Sequence, residues 1–283
     1  MAEEWAEAFG AGAPVSDAKD DALYTLYYWP IPFRGVMIES LLAYKDVPYN
    51  TATMDEVMKI YTAPAAEQPT PMRAPPFLTD HADGFTISQL SAIALYISHK
   101  HGLMPESLQK QSLAMKVLND ANDVLAEICR ANGDVKKDGD YVMWDRLAWD
   151  EFIDGKFVKW LVQFESTARK FGCTADGGFL LGTPEASLAD LTCHALWATM
   201  ARCLPELAPR IDEHAPTVMA LCARLEQSRG LASLVGRHRA SWGTLYCGGM
   251  IEKSIREMLA PPTSGEAAGE AEGAPPRKVG RVE

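Results

Sequence analysis

One run of twelve residues, Tyr24-Thr-Leu-Tyr-Tyr-Trp-Pro-Ile-Pro-Phe-Arg-Gly35, constrains the fold more than any other part of the chain. Leu23 to Trp29 is aromatic and aliphatic and reads as a short buried strand. Pro30 and Pro32 stop it, because neither can donate to a ladder. Phe33, Met37, Leu41 and Tyr44 then share one helical face, so a helix follows within a few residues. The result is a strand, a tight turn and a helix, with a Tyr-Trp pair at the strand's carboxyl end. In open α/β sheets that end is where ligands bind. Strand alternation sends Tyr28 and its neighbour Tyr27 to opposite faces.

The rest of the chain limits the classes open to it. A length of 283 residues allows two packed domains or one large one. No apolar run approaches the roughly 20 residues of a membrane-spanning helix, and the acidic first residues are unlike a secretory or transit leader. The expected location is cytoplasmic. A formal net charge of −11 argues against a nucleic-acid surface. Six scattered cysteines, at 129, 173, 193, 203, 222 and 247, include no C-x-x-C and no His/Cys spacing suited to zinc. They read as free thiols, with no metal expected.

In chain order, residues 1–21 are rich in Ala, Gly, Asp and Glu and are expected to be a mobile extension. Val47 to Thr53 is a second strand and Met54 to Tyr61 one or two helical turns. Thr62 to Pro75, with four prolines, is a surface loop. Phe77-Leu-Thr79 and Phe85-Thr-Ile87 form a hairpin about Asp83-Gly84. A helix containing Leu90, Ile93, Ala94 and Ile97 closes at Gly102. The order βαβα-ββα predicts a small α/β domain with a mixed four-stranded sheet over 22–103. Beyond Pro105 the strand signal disappears. Helices are expected over Leu108–Ala131, Tyr141–Gly172, Ser187–Leu204, Thr217–Arg229 and Leu231–Gly236, giving an all-α domain over 106–260. The tail 261–283 has a disordered composition.

Four local features fall in a telling order: Tyr28-Trp-Pro30 followed by Arg34-Gly35, Ala74-Pro-Pro-Phe-Leu78, Ile87-Ser-Gln-Leu-Ser-Ala-Ile93, and Ser187-Leu-Ala-Asp190. Together they resemble the cytosolic glutathione S-transferase superfamily, over about Leu23 to Gly236. The opening stretch is most similar to the tyrosine-type branch, close to the mu, pi and sigma classes. The resemblance implies a thioredoxin-like amino-terminal domain, an all-helical carboxyl-terminal domain, and a homodimer. It implies glutathione as co-substrate and a small electrophile as partner.

The resemblance also gives the residues their roles. Tyr28 donates its hydroxyl to the glutathione sulfur, and a hydrogen bond to the charged form favours thiolate over thiol. A free thiol titrates near ~8.5 and is a weak nucleophile at neutral pH. Trp29 and Arg34 are peptide-site candidates. Pro76 is the expected cis-proline, and Pro75 before it pairs with the cysteinyl unit. Proline has no N–H to give, and the chain departs from the family there. Gln89 and Leu90 stand at the helix start that holds the γ-glutamyl end, with Leu90 in place of the usual serine. Pro30-Ile31 is a two-residue insertion before Arg-Gly, and no Ser or Cys follows the strand. Ile31, Phe33, Met115, Leu118, Asn122, Trp242 and Tyr246 are the acceptor-pocket candidates. Ser187 and Asp190 match a capping box, a structural element.

The reading is a glutathione transferase that activates the thiolate for attack on a largely apolar electrophile. Glutathione-dependent isomerisation, dehalogenation or ether cleavage would use the same site. A non-catalytic adaptor or ligand carrier is the alternative from another class.

Overall fold

The computed structural model describes residues 20–129 and 144–260. The expectations for the amino-terminal extension up to residue 19, the 261–283 tail and the helix start at Tyr141 lie outside them.

The α/β unit comprises strands β1 (Tyr24–Tyr27), β2 (Tyr49–Thr51), β3 (Phe77–Asp80) and β4 (Thr86–Ser88), with helices α1 (Gly35–Tyr44), α2 (Met54–Tyr61) and α3 (Leu90–Lys100). The sheet order is β2-β1-β3-β4, with β1 and β2 parallel and the remaining pairs antiparallel. This is the mixed four-stranded sheet that the βαβα-ββα order predicts. Thr53 and Glu56 start α2 with reciprocal side-chain bonds to each other's backbone N–H, at 3.3 and 2.7 Å. The expected loop over 62–75 contains a short 3-10 turn, Ala65–Glu67.

The helical unit follows: α4 (Leu108–Cys129), α5 (Arg146–Glu151), α6 (Val158–Lys170), α7 (Leu188–Cys193), α8 (Thr199–Cys203), α9 (Ala208–His214), α10 (Pro216–Leu225), α11 (Arg229–Trp242) and α12 (Gly249–Leu259). Two expected continuous helices are interrupted by π turns, Phe152–Phe157 between α5 and α6 and His194–Ala198 between α7 and α8. A π turn carries an extra residue and re-aims the side chains around it. Here Phe157 and Trp197, one from each turn, meet edge to face at 5.9 Å in the core.

One helix expectation is corrected, and two helices were not foreseen. The stop expected at Gly236 is not one: α11 continues to Trp242. A side chain at Gly236 would meet open space, and a mid-helix glycine costs only about 1 kcal/mol. Helices α9 and α12 have no Ser, Thr, Asp or Asn cap, and their start signals are weaker: Pro209 in the first turn of α9 and Glu252 in the first turn of α12.

Helix α1 is the structural centre, with all but the last of its residues buried. Helix α11 crosses it so closely that a β-carbon on Gly230 would stand 1.7 Å from the Ala43 carbonyl oxygen. The same contact carries a polar link. Tyr49 donates to Glu39 Oε1 at 3.1 Å, and His238 Nε2 lies 3.0 Å from Glu39 Oε2. Gly230→Ala is expected to force the two helices apart and cost about 3 kcal/mol in urea denaturation. A loss under about 0.5 kcal/mol would show that the crossing is not close-packed.

Candidate active site

Tyr24, Leu26 and Tyr28 all point inward, while Tyr27 stacks on Phe77 across the sheet at 4.8 Å. Tyr28 is thereby separated from its neighbour, as alternation requires. The chain then folds back through Pro30 to Arg34, held by Ile31 N–H to Trp29 O at 2.8 Å and Val36 N–H to Pro32 O at 2.8 Å. This places the Arg34 N–H on the Tyr28 hydroxyl oxygen at 3.2 Å. Gly35 is required there: a β-carbon would come within 2.5 Å of Tyr28 Cδ1. Burial pushes the Tyr28 phenol well above its ordinary value, with Arg34 acting in the opposite direction. The hydroxyl therefore stays neutral at physiological pH. Its oxygen accepts from the backbone, which leaves its proton to donate.

Strand register brings the other sequence candidates beside it. Tyr27 pairs with Phe77, and Phe77 with Ser88. The next residues outward from the sheet, Tyr28, Pro76 and Gln89, thus stand in a row along one end. Strand spacing puts the outer two about 10 Å apart, the length of an extended tripeptide. The Pro75-Pro76 bond is cis and both rings are buried. Gln89 adopts φ 76°, a left-handed conformation that is uncommon outside glycine, and its exposed side chain makes no cap bond. Leu90 opens α3 from a buried position.

Trp29 packs edge to face on Tyr61 of α2 at 5.6 Å. Arg34 is not a free surface charge: its Nε donates to Asn122 Oδ1 of α4 at 2.9 Å, and its guanidinium lies 4.8 Å over the Phe33 ring. Asn122 consequently positions Arg34. Ile31 and Phe33 are buried in the turn, and Phe33 meets Tyr246 twice, with N–H to Tyr246 O at 3.3 Å and rings edge to face at 5.5 Å. The other acceptor-pocket candidates lie elsewhere. Leu118 is fully buried core. Met115 lines an open groove of about 530 Å³ with Leu95, Met104 and Leu108, two helical turns or ~10 Å along α4 from Asn122. Trp242 ends α11 with its ring 4.4 Å from His238.

Glu252 is a residue that the sequence reading overlooked. Its Oε2 accepts from the N–H groups of Tyr246, Cys247 and Gly248 at 3.0, 3.0 and 2.6 Å, while Oε1 accepts from Arg256 Nε at 2.8 Å. One buried carboxylate thus fixes the segment that covers Phe33. The available signal was a glutamate in the first turn of a helix, where acids are favoured. Ser187 and Asp190 form the expected capping box. Asp190 is fully buried and accepts from Leu180 N, Ser187 N and Ser187 Oγ at 2.7, 2.8 and 2.7 Å.

This combination, a thioredoxin-like α/β unit with a tyrosine at the end of its first strand and a helical unit behind, defines the glutathione transferase fold. The family model described as glutathione S-transferase, C-terminal domain, matches residues 113–258. That is more than half of the sequence, and the chain belongs to the glutathione S-transferase family. Among solved structures, the Onchocerca volvulus pi-class glutathione S-transferase is similar at 18% identity and TM-score 0.58, over 77% of this chain and 94% of that one. Prostaglandin synthase D of Nilaparvata lugens is similar at 18% identity and TM-score 0.57, over 76% of this chain and 97% of that one. Rat hPGDS complexed with a quinoline is similar at 18% identity and TM-score 0.56, over 76% and 96%. Comparison with curated protein sequences finds no match. Among the described residues no helix is long and apolar enough to cross a membrane.

Proposed function

We propose that this glutathione transferase binds glutathione along the row Tyr28, Pro76 and Gln89, and that the Tyr28 hydroxyl donates a hydrogen bond to the thiolate sulfur. The observation that carries the reading is the Arg34 N–H on the Tyr28 oxygen at 3.2 Å. It orients the phenol and occupies its acceptor side, so the O–H is aimed rather than free to rotate. Burial keeps the phenol protonated. A neutral, positioned donor stabilises a neighbouring negative charge without ionising.

The cysteinyl unit would lie against Pro75 and Pro76. Pro75 offers a carbonyl oxygen but no N–H, so the peptide is held there by one backbone bond. The γ-glutamyl end would meet the exposed Gln89 side chain and the amino terminus of α3, where backbone N–H groups favour a carboxylate. The electrophile would enter beneath the Tyr246 segment, against Ile31 and Phe33, which suits a largely apolar co-substrate. The α/β unit over 22–103 would supply the peptide site and the helical unit over 106–260 the remaining wall. The protein would act as a homodimer in the cytoplasm.

The test is an ultraviolet difference titration of enzyme-bound glutathione. A thiolate band with a midpoint clearly below the free-thiol value of about 8.5 is expected. A bound thiol that titrates at the free value, or no binding at all, would overturn the proposal.

A further inference from the structure

A run of short contacts links the last helix, α12, to the hydroxyl of Tyr28. At its near end the Arg34 N–H donates to the Tyr28 oxygen at 3.2 Å. The preceding residue, Phe33, donates its N–H to Tyr246 O at 3.3 Å and sets its ring edge to face on the Tyr246 ring at 5.5 Å. Only the φ and ψ of Phe33 lie between these two N–H groups, and the Phe33 side chain is buried. A displacement of Tyr246 is therefore passed on to the Arg34 N–H. Tyr246 in turn belongs to the segment that Glu252 gathers, its Oε2 accepting from the N–H groups of Tyr246, Cys247 and Gly248 at 3.0, 3.0 and 2.6 Å.

The far end of the run is fixed independently. Glu252 is buried, and its Oε1 accepts from Arg256 Nε and Nη2 at 2.8 and 2.6 Å. Arg256 Nη2 also donates to Thr244 O at 2.6 Å and to Cys203 O, at the carboxyl end of α8, at 3.2 Å. Further along, α12 is tied to the chain entering α5. The Trp144 N–H donates to Ser254 Oγ at 2.8 Å, and Arg146 Nη1 donates to Met258 O at 2.7 Å. Both carboxylate oxygens of Glu252 are thus in use, one on the Tyr246 segment and one on the guanidinium. An amide in this place accepts on one side only and turns its NH2 group toward donors on the other.

We propose that Glu252 is a positioning residue for the reaction. By holding the Tyr246 segment it keeps Phe33 and Arg34 where they aim the Tyr28 hydroxyl, and so sets how strongly Tyr28 favours the thiolate. The inference rests on Tyr28 as the donor to the glutathione sulfur. Glu252 is buried behind the Tyr246 segment and acts through that segment rather than on the substrates. What it transmits is geometry. Hydrogen bonds weaken steeply as they lose alignment, and a shift of about 1 Å caused far from the chemistry can cost on the order of 100-fold in rate. When the segment is released, the Phe33 and Arg34 N–H groups drift together and the phenol is free to rotate. Pro76 and Gln89 stand at the ends of other strands and do not depend on this run of contacts. Affinity for the peptide is therefore kept while activation of its sulfur is lost.

The experiment titrates the thiolate band of glutathione bound to the full-length protein, in wild type, Glu252→Gln, Tyr28→Phe and the double variant. Affinity for S-methylglutathione, which has no thiol to ionise, reports the peptide site alone. Circular dichroism and urea denaturation check folding. Glu252→Gln is expected to raise the bound-thiol midpoint by about one pH unit and to lower kcat/KM at neutral pH about tenfold, with S-methylglutathione affinity within about twofold of wild type. In the Tyr28→Phe background the same change is expected to add no further rise, because the group it positions is gone. Arg256→Lys keeps the charge but cannot span Glu252, Thr244 and Cys203 together, and is expected to raise the midpoint by a smaller amount. A folded Glu252→Gln protein with the wild-type midpoint overturns the inference, as does a rise of equal size with and without the Tyr28 hydroxyl. If Glu252→Gln does not fold, a wild-type midpoint in Arg256→Lys overturns it instead. A wild type that titrates at the free-thiol value overturns the Tyr28 reading itself. A wild-type midpoint that Tyr28→Phe raises and Glu252→Gln leaves unchanged overturns this inference alone.

Discussion

Tyr28→Phe is expected to lower kcat/KM for glutathione conjugation on the order of 100-fold while leaving glutathione binding nearly intact. The substitution removes the single donor aimed at the sulfur and keeps the ring that fills the space beside Gly35. Removing one positioned donor from a developing or fixed negative charge costs roughly 10² to 10³ in rate. The sign of the pH effect follows from the same bond. It favours the thiolate, so its loss raises the midpoint of the bound thiol by roughly two pH units toward the free value. Activity lost at neutral pH should therefore be partly recovered at alkaline pH, where even the variant holds thiolate. Stability should change little, by about 1 kcal/mol, since only the Arg34 N–H loses its acceptor. An unchanged midpoint together with unchanged turnover would remove Tyr28 from the mechanism. Arg34→Ala offers a useful contrast: the backbone N–H on Tyr28 survives, while the side-chain bond to Asn122 is lost.

Asp190→Ala is expected to produce the largest loss of stability, about 3 to 5 kcal/mol. Asp190 is fully buried and gathers the Leu180 N–H, the Ser187 N–H and the Ser187 hydroxyl onto one carboxylate. Truncation leaves these donors in the core without an acceptor, at roughly 1 to 3 kcal/mol for a buried orphan, and removes a helix cap worth about 1 kcal/mol. The damage would spread, because Leu188, which follows Ser187, donates its N–H to Leu103 O at 2.9 Å and so links the helical unit to the end of the α/β unit. In urea the midpoint should fall without a change in slope. Turnover per folded molecule should remain near wild type. A loss below 1 kcal/mol, or a selective loss of turnover, would refute the structural role.

The elements that the sequence reading recovered share one property: their signals are local. Met54–Tyr61 carries its own capping box, Ser187–Asp190 another, and the Pro-Pro step before Phe77 marks its own turn. The row of Tyr28, Pro76 and Gln89 was legible for the same reason, since each residue ends or begins a recognisable element. Helix α12 was not legible, because no cap residue stands ahead of it and Glu252 in its first turn binds the N–H groups of the segment before it instead. The stop read at Gly236 failed because a glycine breaks a helix only when nothing else holds it, and α11 is held against α1 on either side of it, at Gly230 and at His238.

The sequence by itself determined the βαβα-ββα order, the alternation that separates Tyr28 from Tyr27, and the family to which the chain is similar. These depend on periodicity, proline and capping chemistry over a few residues. Tertiary structure alone decided that Arg34 belongs to Asn122, that Phe33 lies under Tyr246, that Leu118 is core, and that Glu252 gathers the N–H groups of Tyr246, Cys247 and Gly248. Each depends on how separate elements pack, and no local pattern encodes which partner a side chain will find once the chain has folded around the turn after β1.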